Sequence, residues 1–307
     1  MSVVIELPGV LTTVQDRGRF GYQESGITSS GAMDQEAYER ANYLVGNSDG
    51  EAVLELTLFG GEMLITQDAV IAITGADMKP CLEGKEIPMY QPVMVTAQSH
   101  LTFGFAEKGC RTYLAFAGGV DVPIRLGSRS TNLKCGLGGY EGRALVKGDC
   151  FEIGETKIYY EELKNRKMSP SNYGNEWEVH VVMGPQEEVF TEEVKTCFLK
   201  SVYTIGGESD RMGYRLEGPK ITSDRGVDIV SEGIAFGSIQ IPANGKPIIL
   251  MADHQTVGGY AKIASVCFFD LPKLAQARPG DKLRFNAIDI KQAQQMGRKE
   301  IKKWTTA

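Results

Sequence analysis

Short apolar and β-branched runs recur along this chain, and almost every one is closed off by Gly, Pro, Asn or Asp. Residues 3–7, 52–58, 62–66, 70–74, 112–117, 178–182, 234–241 and 247–251 are all strand-sized. A chain punctuated in this way folds into barrels or sandwiches, and 36 glycines against 12 prolines supply its turns. Helical periodicity is confined to three places. Residues 30–45 have Ser30 as a candidate N-cap, with Asp34 and Glu36 near the positive end of the dipole. Residues 189–198 form a shorter candidate. For a terminal helix over residues 291–304, Ile290 just before it and Ala293, Met296, Ile301 and Trp304 within it fall near helical spacing. The expected class is therefore mainly β with few short helices.

At 307 residues the chain is long enough for two domains. The polar stretch 161–176, EELKNRKMSPSNYGNE, is the best linker, and a fresh strand follows it. The expected division is 1–165 and 166–307, each half β-rich, with a terminal helix on the second. A net charge of −6 disfavours a nucleic-acid surface. No apolar run approaches the ~20 residues of a membrane helix, and no signal peptide is visible. The cysteines at 81, 110, 135, 150, 197 and 267 form no CxxC pair, which fits buried thiols in a reducing cytoplasm. His100, His180 and His254 make no metal-binding motif, so no metal is expected.

Four polar, Gly-rich segments bounded by strands hold the candidate chemistry. Residues 11–34 bring Gln15, Asp16 and Arg19. Residues 116–132 bring Arg125, Arg129 and Ser130. Residues 206–219 bring Asp210, Arg211 and Arg215, which suit a buried ion-pair network as well as they suit a ligand. Residues 249–264 say most. An apolar strand delivers Asp253, His254, Gln255 and Thr256 to its end, then Gly258, Gly259, Tyr260 and Lys262. The glycines permit close backbone approach, Asp beside His tunes its charge near neutrality, and Gln and Thr read an amide edge. Lys262 is a donor to a developing oxyanion or a desolvated base. A hairpin whose polar residues only cap turns explains the same pattern. There is no GxxxxGK[ST] loop, no strand-linked GxGxxG and no GxSxG elbow, and GLGGYEG at 136–142 is weak evidence for a phosphate site.

PGVLTTVQDRGRFGY, SGAMD, GGVDVPIRLGSRST, SDRMGYRLEGP and MADHQTVGGYAKIA occur here in that order. With these motifs the chain resembles, from about residue 8 to 285, the biotin-dependent carboxyltransferase-like family. That family includes the C subunit of 5-oxoprolinase, KipA-type proteins, the second-subunit group of allophanate hydrolase and one half of the carboxyltransferase domain of urea amidolyase. The resemblance implies two cyclophilin-like β-barrels, a KipI-type protein (the B subunit) as partner, and often an A subunit too. It implies ATP-dependent opening of 5-oxoproline to glutamate, with ATP used at the level of the complex. Its alternatives are carboxyl transfer from biotin to urea or a related amide, and KipA-type regulation of a kinase inhibitor. Each candidate small molecule presents N–H next to C=O. The matching positions are Asp253, His254 and Lys262 as catalytic groups, with Gln255, Thr256, Gly258, Gly259, Tyr260, Gln15, Asp16, Arg19, Ser130 and Asp210 around the substrate. A substrate carboxylate falls to Arg125, Arg129 or Arg211.

Overall fold

Alternation of buried and exposed side chains sets the layers of this protein. The computed structural model describes residues 2–305, apart from the side chains of 302–305. Backbone contacts divide it into two units. The first runs to Tyr22 and resumes over Ser29–Gly174; the second takes Gln23–Thr28 and the described chain from Asn175.

The first unit is two antiparallel sheets. One has the order Val120–Asp121, Cys150–Ile153, Val3–Pro8, Phe59–Ile65, Ser99–Phe105, Cys81–Leu82, Lys85–Glu86; the other runs Leu11–Gln15, Val53–Thr57, Arg111–Phe116, Ala69–Gly75, Val93–Val95. Their inner faces share one core, in which Val3, Ile5, Met63 and Leu101 meet Leu54, Leu56, Ile73 and Leu114. The five-stranded sheet is apolar on its other face too. Val53, Ala72, Tyr113 and Ala115 pack there against Ala37, Tyr38, Ala41 and Leu44 of the helix Gln35–Leu44. Such double burial explains why these strands read as unbroken apolar runs.

That helix begins later than its periodicity suggests. Ser30 is at φ 52°, a left-handed conformation that an N-cap does not adopt, and Asp34 caps instead by accepting from Ala37 N at 2.9 Å. The turn before it is held from below. Glu55, Tyr113 and Arg111 are buried on adjacent strands. Glu55 Oε2 accepts from Met33 N and from the Tyr113 hydroxyl, both at 2.8 Å, and the same hydroxyl accepts from Asp34 N at 2.8 Å. Burial, then the Glu55 charge, push the Tyr113 phenol well above its usual range, so it stays a donor. Gly31 is needed beside this turn, because a Cβ there would lie 2.8 Å from the Arg17 carbonyl oxygen.

The second unit is a closed barrel in the order Glu176–Met183, Lys262–Val266, Ser238–Gln240, Ile248–Leu250, Gly213–Glu217, Tyr203–Ile205, Lys282–Ala287. All neighbours are antiparallel except the closing pair, in which Glu176–Met183 runs parallel to Lys282–Ala287. Val179, Val181, Tyr214, Leu216, Ile239, Ile249, Leu283 and Phe285 are buried, whereas Glu178, Arg215, Glu217 and Arg284 between them are exposed. The helix Glu192–Lys200 stacks Phe198 on Phe285. It starts at a Thr191 cap rather than at Val189. The terminal helix spans Ile290–Thr305, so Trp304 lies among the undescribed side chains.

The mainly β class expected from the sequence is what the chain adopts, with a closed seven-stranded barrel and few helices. The division between the units at Gly174 falls within the polar stretch 161–176, and the earlier part of that stretch packs on the first unit: Leu163 is fully buried in the helix-side core and Met168 N donates to the Tyr90 carbonyl oxygen at 3.0 Å. One finer expectation gives way: of the six cysteines, all free, only Cys110 and Cys267 are buried. Among the described residues no helix is long and apolar enough to cross a membrane.

Replacing Tyr113 by Phe keeps the ring and removes the hydroxyl that serves both Glu55 and the Asp34 amide. Urea unfolding is expected to show a loss of about 1–3 kcal/mol; an unchanged midpoint would mean that this network does not hold the turn.

Candidate functional site

In the first unit the predicted polar residues converge, largely on one another. Asp16 is buried where the strand Leu11–Gln15 ends. Its Oδ1 accepts from Gly18 N and Ser128 Oγ at 2.8 Å and from Ser130 Oγ at 2.5 Å, and its Oδ2 accepts from Arg129 N at 2.5 Å. Fully buried Arg19 donates to the carbonyl oxygens of Arg125 and Ser130, both at 2.9 Å. Gln15 donates to Thr13 Oγ1 and to the Thr131 carbonyl oxygen. Arg129 spends its Nε on the Val122 carbonyl oxygen and faces Glu51 at 3.7 Å. Two Gly-rich loops are thereby fastened together. Exposed Arg125 lines a cavity of about 510 Å³ with Asp121 and the 136–142 loop.

In the second unit the strand Ile248–Leu250 leads into a tight turn. Asp253 and Arg211 are buried and doubly joined, Nε to Oδ2 at 2.9 Å and Nη2 to Oδ1 at 3.1 Å, with Asp253 N also donating to the Arg211 carbonyl oxygen. The Arg211 fork is therefore engaged inside the protein. Burial holds the His254 imidazole below its ordinary 6.5, and Nδ1–H donates to the Gln255 carbonyl oxygen at 2.5 Å. His254 is thus neutral at pH 7, with Nε2 left as the lone-pair nitrogen.

After this turn Val257–Tyr260 leaves the barrel and pairs with Asp228–Gly233 in a two-stranded ribbon. Buried Lys262 ties that ribbon down. Its ammonium pairs with Glu232 Oε1, which also accepts from Gln186 Nε2 at 2.8 Å, and the lysine holds the Glu232 carboxyl below its usual range.

Between ribbon and barrel lies a cavity of about 750 Å³. Its lining includes Asp210, Arg215, Gln255, Gly258, Gly259 and Tyr260, so six residues singled out from the sequence share it; Asp253, Arg211, His254, Thr256 and Lys262 do not line it. Its floor is the outward face of the barrel. Arg215, Ile248 and Gln240 stand in one register row across three strands, and Lys262 is opposite Gln240 in the next.

Gln240 is the residue that sequence reasoning misses. It is 5% exposed, and its Nε2 has no hydrogen-bond partner. A glutamine between Ile239 and Ile241, in a run otherwise fit for a core, is the available signal. Another unforeseen group lies in the first unit, where Glu6, Glu62 and His100 on three adjacent strands bring ligand-capable atoms within 4.8 Å of one another. His100 Nδ1 is 2.8 Å from Glu6 Oε2, a contact that a hydrogen bond explains without a metal.

The family described as carboxyltransferase domain, subdomain A and B, matches residues 25–287. The C subunit of 5-oxoprolinase from Escherichia coli (strain K12) is 38% identical over 93% of this chain and 91% of that protein. The protein of the same name from Haemophilus influenzae is 35% identical over 94% and 91%. The crystal structure of K. lactis urea amidolyase superposes with a TM-score of 0.90 and 31% identity; the match covers 98% of this chain but 19% of that one.

Two outcomes test the turn. Arg211→Met strands the Asp253 charge and is expected to cost roughly 3–5 kcal/mol, most of it recovered on adding Asp253→Leu. Equal losses in the single and double variants would show that the pair is not the source. For His254 the folded-state pKa lies below the unfolded one. Its contribution is complete above the unfolded value and is lost as pH falls through the folded one. His254→Gln should remove that part of the fall in melting temperature below about pH 6.5; melting curves with the same pH dependence in both proteins would refute it.

Proposed function

Because the chain belongs to the carboxyltransferase domain family with subdomains A and B, we propose that it is the C subunit of a 5-oxoprolinase, which opens the lactam of 5-oxoproline to glutamate. The observation that carries this reading is the 35–38% identity to two proteins of that name over 91% of their length. Ring opening draws on ATP at the level of the complex, in the cytoplasm, with a KipI-type B subunit and an A subunit as partners. The isolated chain is inactive. Carboxyl transfer from biotin to urea is the second reading, favoured by the backbone likeness to urea amidolyase.

Both readings need stabilisation of negative charge on an amide oxygen or nitrogen as its carbonyl bond changes. Lys262 is the cation suited to this, a buried ammonium paired with Glu232. Neutral His254 is the proton acceptor. Asp253 is a positioning residue, acting through Arg211 on the turn that carries His254 and Gln255. In the first unit Asp16, Ser130, Arg19 and Gln15 shape the loops that present Arg125 and Arg129.

The test is release of glutamate from 5-oxoproline by the chain reconstituted with its two partner subunits. Lys262→Ala is expected to lower turnover by about 10²–10³, with the melting temperature followed in parallel. Full turnover by Lys262→Ala removes the lysine from the chemistry. A complex that ignores 5-oxoproline but carboxylates urea from carboxybiotin replaces the first reading by the second.

A further inference from the structure

A buried amide donor with nothing to bind is costly, and proteins leave very few. Gln240 Nε2 is one of them, closed off against Gly258, and Gln240 belongs to the lining of the 750 Å³ cavity of the second unit. The neighbouring backbone shows that the position is built. Gly258 lies so close that a Cβ on it would sit 2.5 Å from Gln240 Nε2. A glycine on the ribbon thus lets the amide edge stand against bare backbone. Among the described residues the same cavity has one cation in its lining, Arg215, which is exposed and 3.6 Å from Glu208. Arg215 and Gln240 are two strands apart in one register row, roughly 10 Å between Cα atoms.

We propose that this cavity is the site where the ligand is read, that the Gln240 amide turns from Gly258 into it and donates through Nε2 to a ligand carbonyl oxygen, and that Arg215 takes a carboxylate on the same molecule. The ligand class is a small cyclic amide or ureido compound carrying an acid group. This deepens the proposed function and rests on it for the choice of probe, since 5-oxoproline has both a lactam carbonyl and a carboxylate. Within the second unit it also moves the carboxylate from Arg211 to Arg215, because the Arg211 fork is occupied by Asp253. Gln240 is a specificity-determining group here. A site that hydrogen-bonds a ligand carbonyl rejects a ligand without one, because the buried donor then stays unmatched.

The experiment uses the reconstituted complex and three probes: 5-oxoproline, 2-pyrrolidinone, which lacks the carboxylate, and proline, which lacks the lactam carbonyl. Gln240→Met is expected to weaken 5-oxoproline and 2-pyrrolidinone by roughly tenfold or more and to leave the weak binding of proline unchanged. Arg215→Met is expected to weaken 5-oxoproline but not 2-pyrrolidinone. The melting temperature of ligand-free Gln240→Met should hold or rise, because the substitution removes an unmatched buried donor; a merely structural glutamine would lower it. If 5-oxoproline is turned over and Gln240→Met binds it as tightly as the wild type, this inference fails and the proposed function stands. If no turnover occurs but carbonyl probes bind in a Gln240-dependent way, the proposed function fails and this inference stands. Binding of no probe, or binding indifferent to Gln240 and Arg215, overturns it.

Discussion

A carboxylate taken out of water must be surrounded by donors or it will not remain charged. Four of this protein's buried carboxylates show that rule at work. Asp16 collects two serine hydroxyls and two amides. Glu55 collects a phenol and an amide. Asp253 takes the Arg211 fork, and Asp270 takes His180 and Lys273. Three of these carboxylates fasten a Gly-rich turn that has few apolar side chains of its own. Sheet packing alone would leave such turns mobile. Each buried acid replaces the missing core with a set of directional bonds, and the geometry of the candidate sites depends on those bonds.

The same rule explains what can be read from the sequence. Strands buried on both faces, such as Val53–Thr57 and Ala69–Gly75, announce themselves as apolar runs, and the expected positions agree with the observed ones to within a residue or two. Leu11–Gln15 and Gly213–Glu217 lie inside segments that read as polar loops, and Lys262–Val266 begins in one. Their Thr12, Thr13, Gln15 and Lys262 are buried, yet spacing alone does not reveal the partners that make this possible. Ser30 has the residue type of a cap and the place of one in the sequence. Its left-handed φ, imposed by the turn around Gly31, passes that role to Asp34.

The candidate site shows a similar split. Asp210, Gln255, Gly258, Gly259 and Tyr260 are legible because polar and glycine residues cluster after a strand. Gln240 is hidden in an apolar run, and Arg215 stands out only within a charged motif that suits an ion-pair network as well as a ligand. Only the pairing of three strands puts them in one row. Because Tyr214, Leu216, Ile239 and Ile249 are buried on the other face of these strands, the site forms on the outside of the barrel. The ribbon then supplies a wall that the barrel does not, and Lys262, whatever else it does, fixes that wall through Glu232.

The barrel is closed by its first and last strands, with Glu176 opposite Lys282 and Val181 opposite Ala287. Until Lys282–Ala287 has formed, Glu176–Met183 and Tyr203–Ile205 each keep an open edge. Closing the ring means bringing together segments separated by nearly the whole unit, among the slowest kinds of contact to form. During synthesis the second unit therefore emerges as an incomplete sheet with two unpaired margins, and stays so until the last strand leaves the ribosome. This interval, rather than the finished protein, is where the chain is most exposed to edge-to-edge association with other copies.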